Sequence, residues 1–254
     1  MRDKRSLSVS TVLILFLASV TARAEPPLRI AYPAFPPFHY VNDSGEMAGF
    51  FYEIITEVLV KRMGMKIVWT MYPWPRCQEN VRSGIDDAIL TVPTAERLEY
   101  TVTHRYPFYK KPLNVFTYAG HERISEIRKI RSIMDIKRGN FVVITYSGNG
   151  WNKENIEANG IKTYVASYLE NVWRMLVEKR GDIVLEWPPG AWPDIKRSGT
   201  YIRVIDTSNT ISEMPFHIMI RKASPYVSQV DKFDEAIMDM MKDGTLLAIT
   251  SRYY

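Results

Sequence analysis

Along most of this chain, short apolar runs alternate with segments whose apolar residues fall at helical spacing. "LRIAY" (28–32), "MKIVWTMY" (65–72) and "IDDAILTV" (85–92) read as strands, with helices over "GFFYEIITEVLVKRMG" (49–64) and "RCQENVRSG" (76–84) between them. The first of these helices carries apolar residues at 51, 54, 55, 58 and 59, and Gly64 supplies its stop. The same grammar returns with a strand over "NFVVITY" (140–146), a helix over "WNKENIEANG" (151–160), and a strand over "IKTYVA" (161–166). A helix over "YLENVWRMLVEKRG" (168–181) and strands over "DIVLEW" (182–187) and "PFHIMIRK" (215–222) follow, then a closing helix over "SQVDKFDEAIMDMMKDG" (228–244). Alternation of this kind predicts an α/β fold with a sheet covered on both faces.

The N-terminus is built differently. "MRDKRS" is basic, "TVLILFLASV" is apolar, and "ARA" ends on the small residues Ala22 and Ala24. That layout predicts a signal peptide over 1–24, cleaved after Ala24, and a periplasmic product. The apolar stretch is too short for a spanning helix, which wants ~20 residues. The chain holds 33 basic and 28 acidic residues; removing the leader's four and one leaves 29 and 27, a net charge of +2. No basic stripe of the strength that nucleic acid requires remains. In "HERISEIRKIRSIMDIKRG" the basic residues alternate with Glu122, Glu126 and Asp135, the pattern of a solvated helix face. Cys77 is the sole cysteine, so stability has to come from a packed core.

In open α/β sheets, ligands collect beyond the carboxyl ends of the strands. Phe38, Thr91 to Arg97, and Ser147 to Trp151 occupy such places. "TYSGNGWNKE" offers backbone N–H groups and a helix start to an anion; an ordinary tight turn would read the same way. It is neither a dinucleotide fingerprint, because Lys153 stands where a third glycine is needed, nor a nucleophile elbow, because Thr145 replaces the first glycine. Arg97 is a planar fork suited to a carboxylate, unless it pairs with neighbouring Glu96 or Glu99. His39, His104, His121 and His217 show no metal-ligand spacing with each other or with Cys77, so neither metal nor cofactor is expected. Trp74, Trp151 and Trp187 lie beside loops, where they can wall a ligand.

The order of these motifs resembles the family 3 extracellular solute-binding proteins, the periplasmic amino-acid receptors of ABC importers. The resemblance rests on "LRIAYPAFPPFHYVNDSGEMAGFFYEI", "SGIDDAILTVPTAER", "YPFYKKPLNVF" and "MMKDGTLLAITSRYY" taken together, and runs from about residue 27 to 254. It implies a type II periplasmic binding protein fold: two α/β lobes joined by two crossing strands. The first lobe would be 25–112 plus 217–254 and the second 113–216. It also implies that Arg97 clamps a ligand carboxylate, that Ser147, Gly148, Asn149 and Gly150 meet the same anion from the other lobe, and that Phe38 and Trp74 form an aromatic wall. Arg76, in a Trp-x-Arg pair, is a second anion contact on the same ground, or else a solvent-exposed arginine at a helix start.

The departures concern what else is recognised. The family's G-x-T before the arginine is replaced by Leu90 and Val92, leaving Thr91 as the only nearby hydroxyl. Trp187 stands where the family's aspartate holds the ligand amino group, with Glu186 one place earlier. A one-residue slip in a strand turns a side chain to the other face. The expected function is capture of a small carboxylate, an amino acid or a relative, by a monomer that serves an ABC permease and has no catalytic residues. The alternatives are a prephenate- or arogenate-type dehydratase on the same fold, with Glu186 as acid, and a sensing module for a membrane partner. A lytic transglycosylase would need a catalytic domain after Tyr254 and is not expected.

Overall fold

The structure is a computed structural model that describes residues 26–253. The expected signal peptide and its cleavage site lie outside the described residues. Among the described residues, no helix is long and apolar enough to cross a membrane.

The strands are β1 (Leu28–Tyr32), β2 (Tyr40–Val41), β3 (Met47–Ala48), β4 (Ile67–Met71), β5 (Ala88–Thr91), β6 (Thr101–Thr103), β7 (Tyr109–Tyr118), β8 (Val143–Tyr146), β9 (Thr163–Ala166), β10 (Ile183–Glu186) and β11 (Val204–Arg221). Most of them share one sheet in the order β4-β1-β5-β11-β7-β10-β8-β9, with β6 also beside β11. Short β2 and β3 pair separately. β1 is parallel to β4 and β5; β8 is parallel to β9 and β10. Between these two parallel groups run β7 and β11, antiparallel to each other. β11 pairs with β5 over His217–Ile220 and with β7 over Val204–Phe216. One long strand thus belongs to both halves of the sheet.

All four residues of β5, which is parallel to β1 and antiparallel to β11, are buried, as a central strand covered on both faces requires. The helix Phe50–Ile55 continues as wider turns through Arg62 and buries Phe51, Ile54, Ile55, Val58 and Leu59, the face its sequence spacing marks. In the other half, Trp173 and Leu176 of the helix Leu169–Val177 pack with Phe116, Ile144 and Val184 of the sheet. Two differences from the sequence reading stand out. "PFHIMIRK" is the tail of an 18-residue strand. The segment Pro188–Arg197, to which the sequence reading assigned no element, is a helix with prolines in its first turn and Pro193 inside it. Proline at a helix start is compatible because the first N–H groups have no partner anyway.

Candidate functional site

A cavity of about 690 Å³ opens between the two halves of the sheet, where β1, β5, β8 and β9 end. The first half supplies Phe35, Trp74, Leu90, Thr91, Val92 and Arg97. The second supplies Tyr146, Ser147, Gly148, Asn149, Gly150 and Trp151, while Met214 and Phe216 of β11 line the cavity between them.

Arg97 is held in place by short-range chemistry. Thr94 caps the turn Ala95–Leu98, its hydroxyl accepting from Arg97 N at 3.3 Å. The residue is 4% exposed. Its Nε donates to Gln78 Oε1 at 3.1 Å, Nη1 to Val92 O at 2.9 Å and Nη2 to Gly148 O at 3.2 Å. All three acceptors are neutral. Glu96, one of the two expected partners, pairs instead with Arg82 at 3.0 Å, and Arg97 makes no ion pair among the described residues. Burial holds its pKa below the ordinary arginine value, opposed by Tyr100, Tyr146, Glu96 and Glu154. The Trp74 ring lies 5.2 Å from the guanidinium carbon.

The loop from the other half comes right up to this arginine. Gly148 O accepts from both Arg97 and Trp74 Nε1, the latter at 3.0 Å. Gly148 has φ +81°, and a Cβ there would fall 2.9 Å from Trp74 Cδ1, so the close approach needs glycine. Asn149 caps the helix Gly150–Asn155 by accepting from Asn152 N at 3.1 Å. Glu154 of that helix accepts from Ala95 N at 2.5 Å, a further hydrogen bond between the halves.

Four of the residues singled out in the sequence lie outside this lining. Phe38 is fully buried. Its carbonyl accepts from Phe51 N at 2.8 Å at the start of the following helix, and its ring stacks behind Phe35 at 4.6 Å. Phe35, three residues earlier, faces the cavity in its place. Trp187 is fully buried, its ring 4.9 Å from Phe38 and 5.7 Å from Phe50. Arg76 is exposed on the first turn of the helix Trp74–Ser83.

Glu186 is buried, and its Oε1 accepts from Lys111 Nζ at 2.6 Å and from Trp187 N at 2.8 Å. The carboxylate considered for a ligand ammonium thus already holds an ammonium of this chain. Lys111 itself is 1% exposed, with Nζ 5.8 Å from the Phe35 and Phe38 rings. Lys111, the second of two adjacent lysines in the strand-like "YKKPLNVF", was the signal available for this pair.

The sequence reading also missed Tyr146, Asp194 and Arg197, which line the cavity. Burial raises the Tyr146 phenol above its ordinary range, and Glu186 adds to the effect. Burial lifts the Asp194 carboxyl to about 6, against the pull of Arg197, with Glu186 and Glu170 adding to the rise. Asp194 and Arg197 are in ion-pair contact. Among the described residues, no group of three or more His, Cys, Asp or Glu could hold a metal ion.

Two parallel strand groups bridged by two long antiparallel strands, with an aromatic cavity and a buried arginine between them, define a two-lobed ligand-binding protein. Residues 28–254 match the bacterial extracellular solute-binding proteins, family 3, and the chain belongs to that family. A search of curated proteins gives no match. Among solved structures, it is similar to a histidine kinase sensor domain with similarity to periplasmic binding proteins (TM-score 0.71, 16% identity, 89% of this chain and 95% of that one). An ancestral arginine-binding protein bound to arginine is also similar (TM-score 0.68, 21% identity, 90% and 98%). So is a periplasmic His/Glu/Gln/Arg/opine family-binding protein from Silicibacter pomeroyi in complex with lysine (TM-score 0.67, 19% identity, 89% and 96%). At these identities the likeness speaks to the fold.

Proposed function

We propose that this protein captures a small carboxylate, an amino acid or a close relative, in the cleft between its lobes. It does so in the periplasm and delivers the ligand to an ABC-type importer. The lobes are 25–112 plus 217–254 and 113–216, with β7 and β11 as the connections about which they close. The observation that carries the reading is Arg97: a buried cation, facing a cavity, whose hydrogen-bond partners are all neutral. A carboxylate supplies the missing countercharge and fits the planar fork. Trp74, Trp151 and Phe35 give an apolar wall, the usual complement of a small-molecule site. The role is binding and release, with no turnover.

A second reading keeps the ligand and changes the recipient. Similarity to a kinase sensor domain supports a protein that reports its ligand to a membrane signalling partner.

A thermal-shift screen of amino acids, 2-oxo acids and dicarboxylates tests the ligand class. A binder at a hundred times its Kd stabilises by ~2.7 kcal/mol. No shift with any carboxylate would overturn the reading.

A further inference from the structure

We infer that Asp194 makes the wall of the cleft away from Arg97 a seat for a cationic group, so that the ligand is a carboxylate whose far end carries a positive charge. This rests on the proposed function and names its ligand class.

Asp194 lines the cavity from the helix Pro188–Arg197 and is 9% exposed. Its ion-pair partner, Arg197, lies three residues along the same helix, with a side chain that is 60% exposed. The two members of the pair are therefore unequal. A buried carboxylate gains much from a buried countercharge, while an exposed arginine contributes little and gives way easily. Glu186, nearby on the same side, contrasts with it: that carboxylate is held by a lysine as buried as itself. Among the described residues, Asp194 is the buried carboxylate that this half of the molecule turns to the cavity, and its ion-pair partner is solvent-exposed. Exposed Glu170 on the same lining adds negative charge.

The cationic seat is separate from the arginine: Arg97 stands in the turn after β5 in the first half, and Asp194 on the helix after β10 in the second, with the cavity shared between them. A ligand α-ammonium stays within two bonds of its carboxylate carbon and so belongs near Arg97. The group that reaches Asp194 is a terminal ammonium or guanidinium. The same cavity is lined by the apolar side chains of Leu90, Trp151, Met214 and Phe216, a lining suited to a methylene chain. The class is a cationic amino acid.

The test is calorimetric titration of the whole secreted protein with two matched pairs. L-lysine is set against L-norleucine, which lacks only the terminal ammonium, and L-arginine against L-citrulline, its neutral near-isostere. At least one cationic member should bind about tenfold or more tighter than its neutral partner, as expected for a charge-assisted hydrogen bond. Asp194→Asn should bring that pair to within about twofold by weakening the cationic member alone. Arg197→Ala, which removes the competing cation, should leave cationic binding intact or tighter. Equal affinities within both pairs overturn the inference. So does a preference that survives Asp194→Asn, or loss of cationic binding in Arg197→Ala. Arg97→Met separates the two levels. If all four compounds bind equally and all are lost in Arg97→Met, the carboxylate reading stands and only the cationic seat falls. If none of the four binds while another carboxylate does, the cationic seat falls alone; if no carboxylate binds at all, both fall.

Discussion

Arg97 and Lys111 are both buried cations, 4% and 1% exposed, yet they meet burial in opposite ways. Lys111 has a carboxylate at 2.6 Å, from Glu186 of the neighbouring strand β10. Arg97 has three neutral oxygens and a cavity. A third answer is given by His39 and His104, which burial pushes down to about 4, so that they shed their protons. Arginine cannot take that route, because its guanidinium stays protonated in proteins. A buried base that is neither paired nor able to become neutral is a cost to the empty protein. On the proposed function, a ligand anion would remove that cost: the compensated cation is architecture and the uncompensated one is the proposed site.

Substitutions sharpen this contrast, beginning with the largest effects. Glu186→Ala leaves Lys111 buried and unpaired and should lower stability by about 3–5 kcal/mol in urea unfolding. The double change Lys111→Met with Glu186→Leu should recover most of that loss; a single change costing under ~1 kcal/mol would place the pair in solvent. Phe38→Ala should cost about 3–5 kcal/mol as a core cavity, whereas Phe35→Ala should change stability less and weaken ligand binding, measured as Kd. Arg97→Met should leave the melting temperature unchanged or higher while abolishing the ligand-induced shift, the reverse of the Glu186 result.

The histidines set a pH dependence. Their folded pKa values lie below the unfolded value of ~6.5, so their contribution is complete above pH ~6.5 and is lost as pH falls towards 4. Asp194, raised to about 6, opposes this in part, since protonation relieves its burial, but the two histidines act together against it. Urea midpoints should therefore fall from pH 6.5 downward; a flat profile from pH 7 to 5 would contradict neutral, buried histidines. The smallest effect is expected from Gly150→Ala, whose Cβ would meet Thr94 Cγ2 at 2.9 Å and Arg97 Nη2 at 3.3 Å. It should loosen the contact between halves and weaken binding severalfold, with little change in the unfolding midpoint.

Much of this was legible in the sequence, and the failures have physical reasons. β1, β5, β8 and their helices follow from apolar spacing, and Arg97 was marked by its position just past a buried strand. Phe38 was misplaced because the "PAFPPF" stretch offers two phenylalanines, and only the hydrogen bonds of its backbone to the next helix decide which one turns inward. Glu186 was misread because its partner is contributed by β7, 75 residues away. Asp194 and Arg197 were hidden by a helix that begins with two prolines and contains a third, against local propensity. Pairing distant in sequence, invisible in local spacing, accounts for Phe38 and Glu186, whereas Asp194 and Arg197 were hidden by the local signal itself.

The most direct test of the uncompensated-cation claim is a pair of titrations on the unaltered protein. The amino acid giving the largest thermal shift is compared with its carboxamide, which keeps the shape and removes the negative charge. Loss of binding with the amide, and its retention with the acid, is the predicted result. Equal affinity for the two would mean that Arg97 is not there to meet an anion.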